Sequence, residues 1–289
     1  MTNSLAHDQF MAVRPRLFGI AYRMLGSATE ADDILQDVWL TWQRIDPGTV
    51  GNPQAYLATA TTRASINAAT TARVRRETYI GPWLPEPVDT SADPALGAER
   101  AEALEIAVLL LLERLSPVER AAYVLREAFA YPYETIAEIV QLNQPAVRQL
   151  VSRARKHLAA ERRAPVESGQ RRRLLEAFLL AAQRGDLQQL EQLFAEDVVS
   201  ASDGGGRAKL AARIPIVGRT KVAKFITAFS SHFWNGVSMR WATVNGEESV
   251  VLSWGGVESA VLTATASGDG ITRLMWLMNP DKLGAVVTA

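Results

Sequence analysis

The feature that most constrains this chain is a basic amphipathic helix predicted over residues 144–158. Its apolar residues recur at helical spacing along one stripe: Val147, Leu150, Val151, Ala154 and Leu158. The opposite face is polar and mostly cationic: Arg148, Gln149, Ser152, Arg153, Arg155 and Lys156. Pro145 fits only in the first turn, where its missing N–H costs no hydrogen bond, and Asn143 or Gln144 can cap the start. The alternative is an ordinary surface helix with a solvated basic face.

A second, shorter helical pattern precedes this helix. It covers residues 134–140 and is followed by a tight break at residues 141–143. A short helix, a turn and a basic amphipathic helix form the pattern of a helix-turn-helix. Arginine, glutamine and serine are side chains that bind phosphates and the base edges of the major groove. We therefore predict a helix-turn-helix over residues 133–158 that binds duplex DNA.

Composition sets the limits on the rest of the chain. Its 289 residues are 48% hydrophobic and 21% charged, which is typical of a globular protein with two or three domains. The formal net charge is zero, so the positive charge that DNA binding needs must be local. There is no cysteine, and the three histidines are scattered, so we expect no disulfide, no metal site and no cofactor. No signal peptide or membrane span is recognisable, and we expect a cytoplasmic protein.

The N-terminal residues are predicted to form three helices, over residues 5–25, 28–45 and 54–77. Ser27 and Glu30 have the spacing of a capping box at the start of the second helix. That helix has an acidic face suited to a basic groove on a partner: Asp33, Gln36 and Asp37, with Leu40 among them. The third helix has a basic patch suited to a phosphate backbone: Arg63, Asn67, Arg73, Arg75 and Arg76. The alternatives are a solvated face and a complement to the helix dipole.

A proline-rich stretch, residues 79–87, interrupts the helical periodicity. Its three prolines favour an extended chain, and it contains Trp83 and Leu84, which predicts that it docks on another surface. Helix is expected again over residues 96–115, and Ser116, Pro117 and Glu119 predict the start of the next helix. The predicted organisation is a helical domain over 1–78, a linker over 79–95, a four-helix unit over 96–163, a linker over 164–170 and a final domain over 171–289.

The pattern changes in the last 120 or so residues. Helical segments and a short predicted strand over residues 198–201 give way to four alternating segments, separated by Asn245–Gly246, Gly255–Gly256 and residues 268–270. This spacing predicts an antiparallel meander. Helices followed by a curved meander favour an α+β cone that encloses a pocket.

Taken together, the chain resembles an extracytoplasmic-function (ECF) RNA polymerase sigma factor, in a subgroup with a fused C-terminal SnoaL-like (NTF2-type) domain. Residues 27–39 resemble the polymerase-binding helix of sigma region 2, and residues 116–158 resemble sigma region 4. Three short motifs mark the subgroup: Trp83-Leu-Pro-Glu-Pro87, Asp203-Gly-Gly-Gly-Arg207 and Asn279-Pro-Asp-Lys-Leu283. One departure is Ala69–Thr70, where relatives tend to carry leucine and arginine.

The resemblance implies a multidomain fold: an all-α sigma region 2, an all-α sigma region 4 with the helix-turn-helix, and an α+β cone-shaped domain. It implies that the acidic face binds core RNA polymerase, that the basic patch of residues 63–76 meets the promoter −10 element, and that the polar face of residues 148–156 reads the −35 element. It implies regulation in cis by the last domain, without an obligatory separate anti-sigma factor or a membrane partner. The implied regulatory contacts are Trp83, Leu84, Pro85, Glu86, Pro87, Asp203, Gly204, Gly205, Gly206, Arg207, Asn279, Pro280, Asp281, Lys282 and Leu283.

Two other functions compete with this interpretation. One is a ligand-sensing transcription factor, which would have no use for an acidic polymerase-binding face. The other is a cyclase- or isomerase-like enzyme, which needs an acid or base in the pocket of the last domain. The candidate groups are His232, Asp197, Asp203, Glu247 and Glu258, but no histidine–acid pair stands at a suggestive spacing. We therefore expect no enzyme, while a small-molecule ligand in the pocket stays possible.

Overall fold

A computed structural model describes residues 2–90, 104–161 and 163–287. The chain divides into two compact units. The first consists of Met1–Glu77 and Ala92–Glu161, and the second of Thr78–Ser91 and Arg162–Ala289. The proline-rich stretch, predicted to be a linker, therefore belongs to the second unit; we call residues 78–90 the linker segment. Among the helices of the described ranges, none has the length and apolarity to cross a membrane.

In the described part of the first unit, all regular secondary structure is helical. Its described helices are α1 (Thr2–Leu25), α2 (Ala28–Trp42), α3 (Pro53–Glu77), α4 (Ile106–Leu112), α5 (Pro117–Glu127), α6 (Tyr133–Val140) and α7 (Gln144–Glu161), with a 3-10 turn at Pro47–Thr49. The helix predicted over 96–115 lies partly outside the described residues, and its described part is helical only over α4. The short helix and the basic helix of the predicted helix-turn-helix are α6 and α7.

Local capping residues begin these helices as the sequence predicts. The Ser27 hydroxyl accepts a hydrogen bond from the Glu30 amide at 3.1 Å. The Ser116 hydroxyl accepts from the Glu119 amide at 3.3 Å, with Pro117 at the first helical position. Of the two candidates for the cap of α7, Asn143 is the one used, because its side-chain oxygen accepts from the Ala146 amide at 2.8 Å.

A buried ionic cluster joins the helices of the first unit. Arg120 of α5 is 4% exposed, and it donates to the Met24 carbonyl at 2.5 Å and pairs with Glu113 at 2.5 Å. Arg76 of α3 pairs with the same Glu113 and donates to the Leu25 carbonyl. Burial lowers the pKa of Arg120, and the neighbouring Glu113 carboxylate opposes that shift. The end of α1, the end of α3 and the α4–α5 pair are thereby held together.

The second unit is an α+β structure on one mixed sheet. Its helices are α8 (Ser168–Arg184), α9 (Leu187–Leu193), α10 (Arg219–Phe233) and α11 (Gly284–Val287), with a 3-10 turn at Pro280–Lys282. Its strands are β1 (Phe194–Asp203), β2 (Ile216–Val217), β3 (Val237–Val244), β4 (Glu247–Trp254), β5 (Val257–Ser267) and β6 (Gly270–Leu277). The strand order is β2-β1-β6-β5-β4-β3, and the antiparallel β3–β6 meander is the predicted one.

Strand β1 departs most from the prediction. A four-residue strand over 198–201 is expected, but β1 has ten residues and runs parallel to β6. The reason is burial on both faces, since Ser200, Ala201, Ser202 and Asp203 are all buried. A strand covered on both faces loses the alternation of polar and apolar residues that reveals it in a sequence. Its C-terminal end, Asp203, lies opposite Leu277 of β6.

Candidate functional site

The polar face of α7 lies in solvent. Val147, Val151 and Ala154 are fully buried, whereas all six residues of the predicted polar face are exposed. Two of its arginines are also oriented by neighbours. The Arg148 guanidinium lies 4.9 Å from the centre of the Tyr133 ring, and Arg155 pairs with Glu127 at 2.6 Å. The hydrogen bond to Glu127 raises the pKa of Arg155. This exposed helix is a surface that can enter a major groove.

The acidic face of α2 is also exposed. Asp33, Gln36 and Asp37 are exposed, and the Leu40 side chain among them is 46% exposed. Beside this face, the N-terminal half of α1 and α2 border a groove of about 370 Å³, whose lining includes Phe10 and Trp39. An exposed leucine among carboxylates and next to a partly apolar groove is a surface suited to a protein partner with basic residues.

The five predicted basic-patch residues of α3 do not form one free patch. Arg63 donates from Nε to the Ile139 carbonyl and from a terminal nitrogen to the Glu138 carbonyl, both at 3.0 Å. Arg76 is part of the ionic cluster, and Arg75 pairs with Glu30. Asn67 and Arg73 are exposed. Arg63 is thus bound to the last carbonyls of α6, the first helix of the helix-turn-helix.

Asp203 is the centre of the contacts that hold the linker segment on the second unit. Its side chain is fully buried. One carboxylate oxygen accepts from the Leu84 amide at 2.8 Å and from the Lys282 ammonium at 2.7 Å. The other accepts from the Tyr79 hydroxyl at 2.5 Å and the Gly205 amide at 3.1 Å. Both oxygens of this buried charge are therefore satisfied.

Lys282 and Asn279 complete this arrangement. The Lys282 ammonium donates to the Leu84 carbonyl at 2.6 Å and lies 4.4 Å from the centre of the Trp83 ring. The Asn279 amide donates to the Tyr79 hydroxyl at 2.9 Å. We name Tyr79, Leu84, Asp203, Asn279 and Lys282 the linker clamp. All three short motifs of the sequence contribute residues to it.

The linker segment is attached at a second place along the sheet. The Val88 amide donates to the Asn245 side-chain oxygen at 3.0 Å, and the Asn245 amide donates to the Val88 carbonyl at 2.9 Å. The Thr90 amide donates to the Thr243 carbonyl at 3.0 Å. These bonds add a short extended piece to the free edge of β3, as in β-strand addition.

The glycines after Asp203 allow the close approach of the loop. A Cβ at Gly205, which has a φ of +57°, would lie 2.5 Å from the Asn279 amide nitrogen. A Cβ at Gly204 would lie 2.5 Å from the Ala211 Cβ. Since real Cβ atoms do not approach so closely, a side chain at either position would displace the clamp or the loop that follows it. The remaining exposed pair of these motifs is Arg207 with Asp281, at 2.5 Å.

The contacts of Tyr79 in the clamp predict that the stability of the second unit depends on pH in the alkaline range. Burial, and then the hydrogen bond to Asp203 and its charge, raise the pKa of the Tyr79 phenol well above its usual value of 10.0. The contribution of Tyr79 to the free energy of unfolding is therefore constant below pH ~10. It is lost as the pH rises further, because the Tyr79 phenol of the unfolded chain releases its proton at a lower pH than that of the folded chain. Denaturation of the wild type across this alkaline range should show the loss, and Tyr79→Phe should reduce it. An unchanged alkaline dependence in Tyr79→Phe would contradict this assignment.

An aromatic cavity lies inside the second unit. Its volume is about 40 Å³, and its walls include Phe225, Phe229, Phe233, Trp234 and Trp276. None of the five candidate acid–base groups lines it. His232 is exposed, Asp197 pairs with Arg163 at 2.5 Å, Glu258 pairs with Arg240 at 2.8 Å, Glu247 pairs with Arg171, and Asp203 belongs to the clamp.

Several residues that make these contacts have no signal in the sequence. Tyr79 is a lone tyrosine at the end of a helix, and Glu113 and Arg120 look like ordinary helix-end charges. Asn245 looks like half of a turn, and Asn245 with Gly246 does form one, but its side chain also binds the linker segment. Only the hydrogen-bond pattern of the folded chain distinguishes these residues.

Comparison with known proteins agrees with this geometry. Residues 9–75 match the family model "Sigma-70 region 2", and residues 105–158 match "Sigma-70, region 4". The chain is 34% identical to the ECF RNA polymerase sigma factor SigJ of Mycobacterium tuberculosis, over 95% of this chain and 92% of SigJ. It is 29% identical to the probable ECF sigma factor SigI of the same organism, over 96% of both chains.

The crystal structure of M. tuberculosis SigJ also aligns along the chain, with a TM-score of 0.77 and 30% identity over 96% of this chain and 98% of SigJ. The match covers the helical regions and the α+β unit alike. It therefore agrees with the fold predicted from the sequence, helical sigma regions 2 and 4 followed by an α+β domain. The protein belongs to the ECF RNA polymerase sigma factors, which bind core RNA polymerase and promoter DNA and direct the initiation of transcription.

Proposed function

We propose that the second unit regulates this sigma factor in cis by holding the linker segment. The observation that carries the proposal is the linker clamp, in which buried Asp203 and Lys282 bind Leu84 from both its amide and its carbonyl. The linker segment is the first part of the covalent connection between α3 of region 2 and α4 of region 4. A unit that binds this connection controls how far apart the two regions can move, without a separate anti-sigma protein.

The length of the connection gives the size of this restraint. Residues 78–105 lie between α3 and α4. Fully extended, these 28 residues would span roughly 90–100 Å. When residues 78–90 are bound, the 15 residues from 91 to 105 span at most roughly 50 Å. Binding of the linker segment fixes 13 of these 28 residues, and release of the clamp frees them, so region 4 can then move over a wider range relative to region 2.

The contacts of Arg63 are a reason for the two regions to separate before the promoter is bound. We propose that Arg63, Asn67, Arg73, Arg75 and Arg76 contact the −10 element, and that the α2 face with Leu40 binds core polymerase. Arg63 is bound to the carbonyls of Glu138 and Ile139 on α6. It reaches a phosphate only after α6 leaves it. Region 4 must therefore separate from α3 before Arg63 contacts the promoter, and a bound linker segment opposes that separation.

Transcription in vitro with core RNA polymerase tests the proposal. We expect Asp203→Ala and Trp83→Ala to raise promoter output, because each weakens the clamp and lets the two regions separate. Asp281→Ala is the matched control, since Asp281 belongs to the same motifs but pairs with Arg207 in solvent. Output equal to the wild type in both Asp203→Ala and Trp83→Ala would overturn the proposal, and two variants are used so that one unfolded protein does not decide the result.

We also propose that the polar face of α7, namely Arg148, Gln149, Ser152, Arg153, Arg155 and Lys156, reads the −35 element. Arg148 is the sharpest test, because Tyr133 supports its guanidinium. If Arg148 contacts a base, Arg148→Ala should weaken binding to the preferred −35 duplex by about 1–3 kcal/mol and relax specificity at one position. Binding to a set of single-base variants of the duplex measures this. Equal losses on all sequences would instead identify Arg148 as a phosphate contact.

A further inference from the structure

A second cavity of the second unit lies where the linker segment meets the loop after β1. Its volume is about 130 Å³. Ile80 and Gly81 of the linker segment line one side, and the other side is formed by Ser202 and by the loop of residues 204–213. The loop contributes small residues, glycines and alanines, together with three cationic side chains. This cavity is distinct from the aromatic cavity, although Ser202 lines both.

The charge of this cavity is positive. Arg207, Lys209 and Arg213 line it, and no carboxylate of the described residues does. Arg207 forms an exposed ion pair with Asp281 at 2.5 Å, which offsets its charge. For Lys209 and Arg213, we find no acidic partner among the described residues. The nearby carboxylate of Asp203 is already bound by Lys282, Tyr79 and two amides. Lys209 and Arg213 are both exposed to solvent, so an anion can reach either cation without displacing a protein partner.

Ser202 adds a polar group to the lining of this cavity. Its side chain is only 6% exposed and lies in the cavity wall. Within the described ranges, its hydroxyl has no hydrogen-bond partner. This oxygen is not one of the fully buried side-chain atoms that lack a partner among the described residues, so a water molecule or a ligand in a neighbouring cavity can reach it. A hydroxyl with a free O–H beside two unpaired cations matches an acceptor-rich anion.

We propose that this cavity binds a small anion of the phosphate class, either free or as the phosphoryl group of a small molecule. The Lys209 and Arg213 cations would neutralise it and donate charge-assisted hydrogen bonds, and the Ser202 hydroxyl would donate a third. A water molecule needs about 10–15 Å³ in such a cavity. The available 130 Å³ therefore holds one phosphate with a few waters, and any larger organic group would extend outside.

Anion binding would also stabilise the bound state of the linker segment. Ile80 and Gly81 line the same cavity as the cationic loop. Gly206 of that loop lies close to Ile80, because a Cβ added at Gly206 would be 3.1 Å from the Ile80 Cδ1 atom. An anion held there rests against both parts and opposes their separation. An effect of the anion on transcription rests on the proposed function, since it assumes that a bound linker segment limits promoter use. Binding of the anion to the cavity does not depend on that assumption.

Calorimetric titration of the full-length chain tests the inference. The probes are inorganic phosphate and adenosine monophosphate at constant ionic strength, with sodium chloride as the blank. We expect saturable binding of phosphate. A Lys209→Ala and Arg213→Ala double variant should weaken it at least about tenfold, and Ser202→Ala should weaken it about three- to tenfold. Lys224→Ala removes an exposed cation of α10 and should leave binding unchanged.

Each outcome has a defined meaning. Equal binding of both probes supports a free anion, and tighter binding of the nucleotide with the same dependence on Lys209 and Arg213 supports a phosphorylated small molecule. Absence of saturable binding for both probes overturns the inference, as does binding that the double variant leaves intact. Hydrogen exchange at residues 80–84 should slow when phosphate is bound. None of these measurements uses polymerase, so failure here leaves the transcription test of the clamp unaffected.

Discussion

Replacing Asp203 with alanine is expected to destabilise the second unit by about 3–5 kcal/mol, the usual cost of removing one partner of a buried ion pair. The Asp203 side chain is fully buried and Lys282 is 13% exposed. The substitution leaves the Lys282 ammonium without a counter-charge and the buried Leu84 amide without an acceptor. Chemical denaturation should measure the loss, and hydrogen exchange at residues 79–88 should show that the linker segment is released first.

Asp281→Ala is the matched control for this prediction. Its pair with Arg207 is 61% and 64% exposed, so the expected loss is at most about 1 kcal/mol. Combining Asp203→Ala with Lys282→Met should cost less than the sum of the two single substitutions, because the pair leaves no unpaired buried charge. A loss for Asp203→Ala no larger than that of the control would contradict a buried clamp.

Replacing Glu113 with alanine should destabilise the first unit by a similar amount, about 3–5 kcal/mol. Glu113 accepts from both Arg120 and Arg76, and Arg120 is 4% exposed. Without the carboxylate, the buried Arg120 guanidinium keeps, among the described residues, one hydrogen-bond acceptor, the Met24 carbonyl at 2.5 Å. Thermal or chemical unfolding followed by helical circular dichroism measures this, because the first unit is built from helices.

The control here is Glu127→Ala. Its partner Arg155 is 51% exposed, and solvent screens the pair, so the expected loss is within about 1 kcal/mol. Since Arg155 also lies on the polar face of α7, this control should be measured without DNA. Equal stability of Glu113→Ala and Glu127→Ala would show that the buried cluster does not hold the helices of the first unit together.

Local patterns in the sequence determine most of the fold. The stripe of Val147, Val151 and Ala154 predicts the buried side of α7, and all three are fully buried. Cap residues and glycine-containing turns predict where helices begin and where the meander reverses. These signals act within a few residues of one another, so they do not depend on how the chain is arranged in space. The length of strand β1 is not predicted by such local patterns, because the strand is buried on both faces and lacks alternating polar and apolar residues.

The linker clamp is decided only by the tertiary structure. Its residues come from three segments that are more than 70 positions apart, and nothing local fixes their distances. The parallel pairing of β1 with β6 brings Asp203 opposite Leu277, just before Asn279 and Lys282. The three motifs can be found in the sequence, but their hydrogen bonds follow from that pairing.

The same distinction applies to the basic residues of the first unit. The sequence determines that Arg63 and Arg76 are cations suited to a phosphate backbone. Packing decides that Arg63 binds the carbonyls at the end of α6 and that Arg76 joins a buried cluster with Glu113. A cation at a helix surface has the same sequence signal whether it faces solvent or a neighbouring helix. Its partner is selected by the long-range contacts that bring the helices together, because only those contacts place an acceptor within hydrogen-bonding distance.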